Sequence, residues 1–363
     1  MVFLQKTRDW YGRFERPISS FSLVLGFLFN ILTLRRIDTF WENLWIVAHL
    51  FVVGLFIILI HTWKKEEADE KDPGKVHFYF VNILQFFFGG LLSTYLVFYF
   101  RSTDIFSTWP FLLLLVLAFI ANESFKRLYI RFSFQISLFF LSIYSFAIFI
   151  VPIIFHRIGD TIFLLSGFFS LVFITIFITF LFHLRKNKFK ESKKLIFSLI
   201  LGIFVLINFL YFTNLIPPIP LSLKDAGVYH SIEKDGEGNY AVTFEEESWE
   251  NYFKLYPVFH KAPGEPVYVY SAIFSPSQLN LTILHEWQYY DQKQNKWITD
   301  NIVSLRVVGG RDGGFRTYSR RSNLIFGKWR VKIKTEQGAT IGSTRFSILP
   351  VGTEPILFSE IKQ

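Results

Sequence analysis

The stretch Phe132–Phe155 reads FSFQISLFFLSIYSFAIFIVPIIF, twenty-four residues without an Asp, Glu, Lys or Arg. A helix rises ~1.5 Å per residue, so this run is long enough to cross the ~30 Å apolar core of a bilayer. Six further stretches have the same character: Ile18–Leu34, Asn43–Trp63, His77–Phe100, Ile105–Ala121, Thr161–Leu184 and Leu195–Ile216. Seven membrane-spanning helices are expected over residues 18–216. Ile18–Leu34 is the shortest and ends against Arg35 and Arg36, and the count falls to six if it lies in the interface. Composition agrees, with 51% of the 363 residues hydrophobic, 20% aromatic and 18% charged. A soluble protein carries about a quarter charged residues, so a plain soluble enzyme is excluded.

The loops between these runs set an expected orientation. Residues 1–17 hold Lys6, Arg8, Arg13 and Arg16 with no cleavage signal after the first apolar run. Phe3, Trp10 and Phe14 fall near one helical face, which suits a cytoplasmic amphipathic segment; a frayed basic terminus is the equal alternative. Seventeen Lys and Arg lie on the side of this terminus, in loops such as Arg185–Lys194, against four (Arg35, Arg36, Arg101, Arg157) on the other. Cations concentrate on the cytoplasmic side, so the expected location is the bacterial cytoplasmic (inner) membrane, with everything after Ile216 periplasmic. The formal charge of +9 is explained the same way. Up to Pro220 there are 21 Lys and Arg against 13 Asp and Glu, and beyond it 17 against 16. The excess is a topology signal, and no nucleic-acid partner is expected.

Pro217, Pro218 and Pro220 stop the last helix, and residues 217–227 read as a Pro-rich linker. Beyond it the apolar period becomes two. In Lys328-Trp329-Arg330-Val331-Lys332-Ile333-Lys334, three apolar residues alternate with four cations, the pattern of a half-buried strand. Val267–Phe274, Leu279–Trp287, Ile302–Val308, Phe315–Ser319 and Ile341–Ile348 read as further strands, with Tyr240–Phe244 weaker and Glu245–Leu255 as an inserted helix. Turns are marked by Lys234-Asp235-Gly236, Ala262-Pro263-Gly264, Gly309–Gly314 and Glu336-Gln337-Gly338. The fold class expected is thus an α-helical polytopic bundle followed, over residues 228–363, by an all-β, immunoglobulin-like sandwich.

Several features of this half carry a family resemblance. They are Pro263-Gly264-Glu265-Pro266-Val267-Tyr268, His285-Glu286-Trp287, Trp297, Gly309-Gly310-Arg311, Phe315-Arg316-Thr317-Tyr318-Ser319, Gly327–Val331, and Thr335 and Gly338 followed by Phe346. Over about residues 260–350 the chain resembles the bacterial domain-of-unknown-function family 2914. The resemblance implies a small extracytoplasmic β-domain tethered to membrane helices, and no catalytic residue comes with it.

The chain has no Cys, which removes disulfides, thiolate nucleophiles and sulfur-ligated zinc. His285-Glu286 has no second His at helical spacing, and His230, His260 and His285 lie on separate segments. No metal, cofactor or catalytic residue is therefore expected, and His285 reads as a strand residue bonded to backbone or a nearby Tyr. The glycine run with Arg311 reads first as a hairpin turn and second as an anion-binding nest. Arg311, Arg316, Arg320 and Arg321, with Lys328, Arg330, Lys332 and Lys334, form a candidate basic face; Tyr289 and Tyr290 are candidates for contact with a glycan. The alternative is a solvated face that guards a sheet against aggregation. At the outer mouths of the helices Arg35, Arg36, Asp38, Arg101, Asp104, Arg157 and Asp160 form a charged ring suited to interdomain docking, or to simple contact with water.

The candidate polar residues well inside the runs are Asn30, His49, Asn82, Gln85, Gln135, Asn208 and Asn214. Only His49 among them ionises near neutrality, which argues against a proton pump. The expected function is a membrane-anchored binding, sensory or scaffold protein of the cell envelope, without catalysis. Its expected partners are the lipid bilayer and an envelope polymer, lipid or membrane protein. The alternative is a small transporter or lipid-handling protein with the β-domain as lid or adaptor.

Overall fold

The structure, a computed structural model, describes residues 39–62, 75–101, 105–124, 131–184, 192–216, 218, 220–235, 239–245, 254–275, 280–308, 314–351 and 355–362, with Phe27, Leu28 and Asn30. The chain forms two compact units, residues 1–101 with 109–213 and residues 102–108 with 214–363; the helix Ile105–Ser124 falls mostly in the first.

The first unit is helical. Its described residues form α1 (Phe40–Thr62), α2 (Lys75–Arg101), α3 (Ile105–Ser124), α4 (Phe132–Phe155), α5 (Asp160–Leu184) and α6 (Lys193–Phe212). Five are long and apolar enough to cross a membrane; the apolar stretch Trp109–Ala121 of α3 is shorter and is not among them. The expected first span and the amphipathic residues 1–17 lie outside the described residues, Phe27, Leu28 and Asn30 excepted. The uncharged run of α4 makes it the hub, packed on α1, α2, α5 and α6. Aromatic rings fill the contacts. Phe139 meets Phe177 edge-on at 5.0 Å, and Tyr144 stacks on Phe204 at 5.8 Å.

Polar side chains in this unit tie helix to helix. His61 Nε2 lies 2.9 Å from Gln135 Oε1, Asn208 donates to the Tyr144 hydroxyl at 3.2 Å, and Tyr99 donates to the Ser145 carbonyl at 3.0 Å. In an apolar medium such bonds are a principal adhesive between helices. The outer faces of α5 and α6 remain apolar and exposed, with Phe168, Phe173, Ile176 and Phe180 on one and Phe197, Val205, Phe209 and Phe212 on the other. So large an exposed apolar surface marks contact with lipid or with another protein.

The second unit is β-rich. Its strands are β1 (Ser222–Tyr229), β2 (Ser231–Lys234), β3 (Tyr240–Glu245), β4 (Val258–Lys261), β5 (Val267–Phe274), β6 (Asn280–Asp291), β7 (Lys296–Val308), β8 (Phe315–Arg321), β9 (Gly327–Thr335), β10 (Thr340–Pro350) and β11 (Leu357–Lys362). They form three sheets, ordered β1-β5-β8, β4-β10-β9-β6-β7 and β11-β3-β2. All pairs are antiparallel except β4 with β10.

Alternation explains the core between the first two sheets. Val267 and Val269 of β5 meet Trp287 of β6, Trp329 and Val331 of β9, and Phe346 and Ile348 of β10. The outward Tyr270 and Ala272 of β5 are covered in turn by Ile232 and Val242 of the third sheet. Contact between sheets is close: a Cβ added at Gly342 of β10 would lie 2.3 Å from Leu223 Cδ2 of β1.

The linker boundary needs correction, because β1 begins at Ser222, inside the stretch 217–227. A register shift between Leu223 and Asp225 breaks the period of two and hid this strand. The expected helix over Glu245–Leu255 starts on a residue that ends β3; residues 246–253 lie outside the described residues.

The register gives this unit two ends. The chain comes into β1 at Ser222, which pairs with Phe274, at the same end as Phe315 and Thr335. At the far end stand Tyr229, Val267, Arg321, Gly327 and the β6–β7 turn.

Candidate functional site

The outer face of β6, β7 and β9 carries a connected row of side chains toward the far end. The register puts Glu286 and Gln288 of β6 opposite Lys332 and Arg330 of β9. Lys334 pairs with Glu286, which also accepts from Gln288 Nε2 at 2.8 Å and from the Thr299 hydroxyl at 2.7 Å. Gln288 Oε1 accepts from Arg330 Nε at 2.7 Å, and the Arg330 guanidinium lies 4.2 Å over the Trp297 ring. Tyr256 stacks near-parallel on Trp297, Tyr290 packs against it at 5.3 Å, and Lys328 lies 5.2 Å over Tyr256. Burial opposes the Glu286 charge, but Lys334, Thr299 and Gln288 outweigh it and hold the carboxyl below the usual range. The row is a fixed alternation of cations and rings, suited to anionic or aromatic-stacking ligands.

The residues singled out from sequence are distributed over different surfaces. Tyr289 turns inward against Trp329, while Tyr290 lies on the outer row with its hydroxyl on Asn295. Arg316, Arg320 and Arg321 are on β8, in the other sheet. Arg316 donates to Asn239 Oδ1 and the Lys362 carbonyl, and Arg321 pairs with Asp300 at 2.7 Å. Arg320 is exposed. Arg311 lies outside the described residues. The expected single basic face is therefore divided between β8 and β9. Of the charged ring, Asp160 accepts from the Tyr211 hydroxyl at 3.0 Å, and Arg157 is exposed. Arg35, Arg36, Asp38, Asp104 and the Arg101 side chain lie outside the described residues.

Two histidine arrangements escaped the sequence. His230 follows β1 directly, with Nδ1 2.5 Å from Glu265 Oε1 and Nε2 3.2 Å from Glu245 Oε1. Glu245 also accepts the His260 backbone N–H at 2.5 Å and faces His260 Nδ1 at 2.7 Å. Glu265 is placed by the Ala262-Pro263-Gly264 turn, where Gly264 takes φ +80, and accepts the Ala262 N–H at 2.8 Å. Burial disfavours the His230 charge, yet the bonds to Glu245 and Glu265 overcome it and raise the pKa. Glu245 is likewise pushed up by burial but pulled below the usual range by His230 and His260. Beside Glu245 opens a cleft of about 310 Å³, walled by Phe244, Phe259, Phe346 and Val228, with Lys254 and Arg345 at its rim. Among the described residues no His, Asp or Glu group is arranged to hold a metal ion.

His285 has no exposure at all and joins the two facing sheets. Its Nε2 meets the Ser271 hydroxyl and its Nδ1 the Ser319 hydroxyl, both at 2.9 Å, and Trp287 donates to Ser319 at 3.0 Å. The bonds run to serines, in place of the backbone or Tyr expected. Burial depresses the pKa to about 4. Between the unfolded value of ~6.5 and the folded value the unfolded chain binds the extra proton, so stability falls as pH drops through that window. The expected loss is about 3 kcal/mol near pH 4. His285→Leu should flatten this acid limb in urea midpoints measured against pH. An unchanged slope would assign the limb to other groups.

Residues 280–348, from the start of β6 nearly to the end of β10, match the model of a family described as protein of unknown function, DUF2914. No curated protein matches the chain. Among solved structures, a β-glucosidase from Listeria innocua in complex with isofagomine aligns at 9% identity and TM-score 0.20, over 36% of this chain and 16% of that one. The alkylpurine DNA glycosylase AlkC of Pseudomonas fluorescens, bound to DNA containing an abasic site analog, aligns at 8% identity and TM-score 0.22, over 85% and 98%. At such scores neither likeness bears on fold or activity.

Proposed function

We propose that the chain is a multi-pass binding and scaffold protein of the bacterial cytoplasmic membrane, with a seven-span bundle, a cytoplasmic N-terminus and a periplasmic β unit that engages an anionic envelope polymer. The row from Lys334 through Arg330 and Trp297 to Lys328 carries this reading, because it is preorganised and cationic and runs from the Thr335 end of the sheet to the Gly327 end, remote from Ser222. The bias of seventeen cations against four supports the orientation. An immunoglobulin-like sandwich is supported by β1-β5-β8 facing β4-β10-β9-β6-β7, with a buried Trp287 on β6, between β9 and β7. The rings packed around Tyr144 and Asn208 favour an anchoring bundle over a carrier.

The test is a binding isotherm of the full chain in nanodiscs with polygalacturonate as the anionic glycan probe. Trp297→Ala combined with Arg330→Gln should weaken binding at least about tenfold, and added salt should weaken the wild type. Equal binding of a neutral glycan, or no effect of the double substitution, would remove the polymer-binding reading. The absence of Cys permits a clean check of orientation: Ser322→Cys should react with an impermeant maleimide on intact cells, and Ser192→Cys should not.

A further inference from the structure

His230 is almost fully enclosed, its ring stacked on Phe259 at 4.3 Å, and each of its nitrogens faces a carboxylate oxygen. An ionised carboxylate only accepts hydrogen bonds, whereas a neutral imidazole has one donor. Both contacts are satisfied together only when both nitrogens carry hydrogen. The two carboxylates come from different places, Glu245 from the end of the β2–β3 hairpin and Glu265 from the turn before β5. His260 of β4 holds the second oxygen of Glu245. We infer that His230, Glu245, Glu265 and His260 form a proton-controlled latch, which fastens the β2–β3 hairpin to β4 and the turn before β5 and sets the opening of the cleft beside Glu245.

The other charged groups near the latch are Lys254 and Arg345 at the cleft rim and the buried Lys261, which donates to the Ala262 carbonyl. Loss of the His230 proton leaves an imidazole lone pair against one carboxylate, and that contact becomes repulsive. The raised pKa of His230 means that its stabilisation is complete below ~6.5 and is lost as pH rises through the folded value. The lowered pKa of Glu245 keeps its own contribution intact above the ordinary carboxylate range and loses it only as pH falls through the depressed value. The latch is therefore closed below the ordinary histidine range and opens as pH rises through the raised value of His230. Phe244 and Val258 of the cleft wall belong to the two parts it joins, so opening enlarges the cleft.

Amide exchange of residues 231–245 in the full chain in nanodiscs, corrected for intrinsic rates, tests this directly. Protection should fall roughly tenfold between about pH 6 and about pH 9 in the wild type. In His230→Gln it should be low and independent of pH. Glu265→Gln keeps the ring and one carboxylate, and should move the transition to lower pH, which serves if His230→Gln does not fold. A wild type with flat protection, a His230→Gln variant with the wild-type drop, or an unmoved transition in Glu265→Gln would each overturn the latch.

Discussion

Trp287→Ala is expected to unfold the β unit at moderate temperature while the helical unit keeps its helix signal. The indole has no exposure and lies 6.5 Å from Trp329 and 6.3 Å from Phe346, at the centre of the core between the first two sheets. Truncating a Trp in a packed core costs about 3–5 kcal/mol, a large part of the 5–15 kcal/mol that holds a domain together. The Ser319 hydroxyl also loses the indole N–H and is left with His285 alone among its described partners. For a unit of this size the unfolding transition should fall by more than about 10 °C in calorimetry. Trp297→Ala supplies the comparison, because that ring is half-buried on the outer row and its loss opens no core cavity. Equal shifts for the two variants would mean that the core does not rest on Trp287.

Local rules reach different depths in the two units. Apolar length alone marks helices, so Phe132–Phe155 was readable to the residue and α1, α2 and α5 to within a few. Strict alternation likewise marked the strand through Lys328–Lys334, and a short apolar run bounded by turn signals marked Val267–Phe274. The strands that escaped are short, irregular or exposed: β2 and β4 have four residues each, β1 carries a register shift amid Lys224, Asp225 and Gly227, and β11 is an edge strand with five of its six residues exposed.

Sites were less legible because they are assembled across sequence distance. His230 meets Glu245 and Glu265 only because a hairpin folds back on β1 and a turn brings residue 265 alongside, and no spacing rule encodes that meeting. His61, bonded to Gln135, was hidden by its place at the end of an apolar run, where a polar residue reads as a boundary. Tyr289 and Tyr290 lay beyond the strand read as Leu279–Trp287. Because β6 runs on to Asp291, neighbours along it point to opposite faces, and the sheet puts Tyr289 on Trp329 and Tyr290 on Trp297.

Phe173→Lys together with Ile176→Lys on α5 should prevent that helix from entering the membrane. Both side chains are more than half exposed, Phe173 at 52% and Ile176 at 65%, and they lie near the middle of Asp160–Leu184. If this face met water, two lysines there would change stability by no more than about 0.5 kcal/mol each. If it meets hydrocarbon, each lysine costs about 2.5–3.5 kcal/mol at the centre of a span, and the pair about 5–7 kcal/mol. That difference is several orders of magnitude in an insertion equilibrium, too large for the flexible lysine stems to remove by reaching toward the headgroups. The readout is glycosylation of an acceptor site in the loop after α5, in full chain made in the presence of membranes. The wild type should give one uniform pattern, whereas in the double variant the site should shift sides in most molecules. Lysine at Ile174, which is 1% exposed, would disrupt the bundle in either solvent and so does not discriminate. Unaltered glycosylation in the Phe173 and Ile176 variant would put the outer face of α5 in water, and the membrane reading of the helical unit would fall with it.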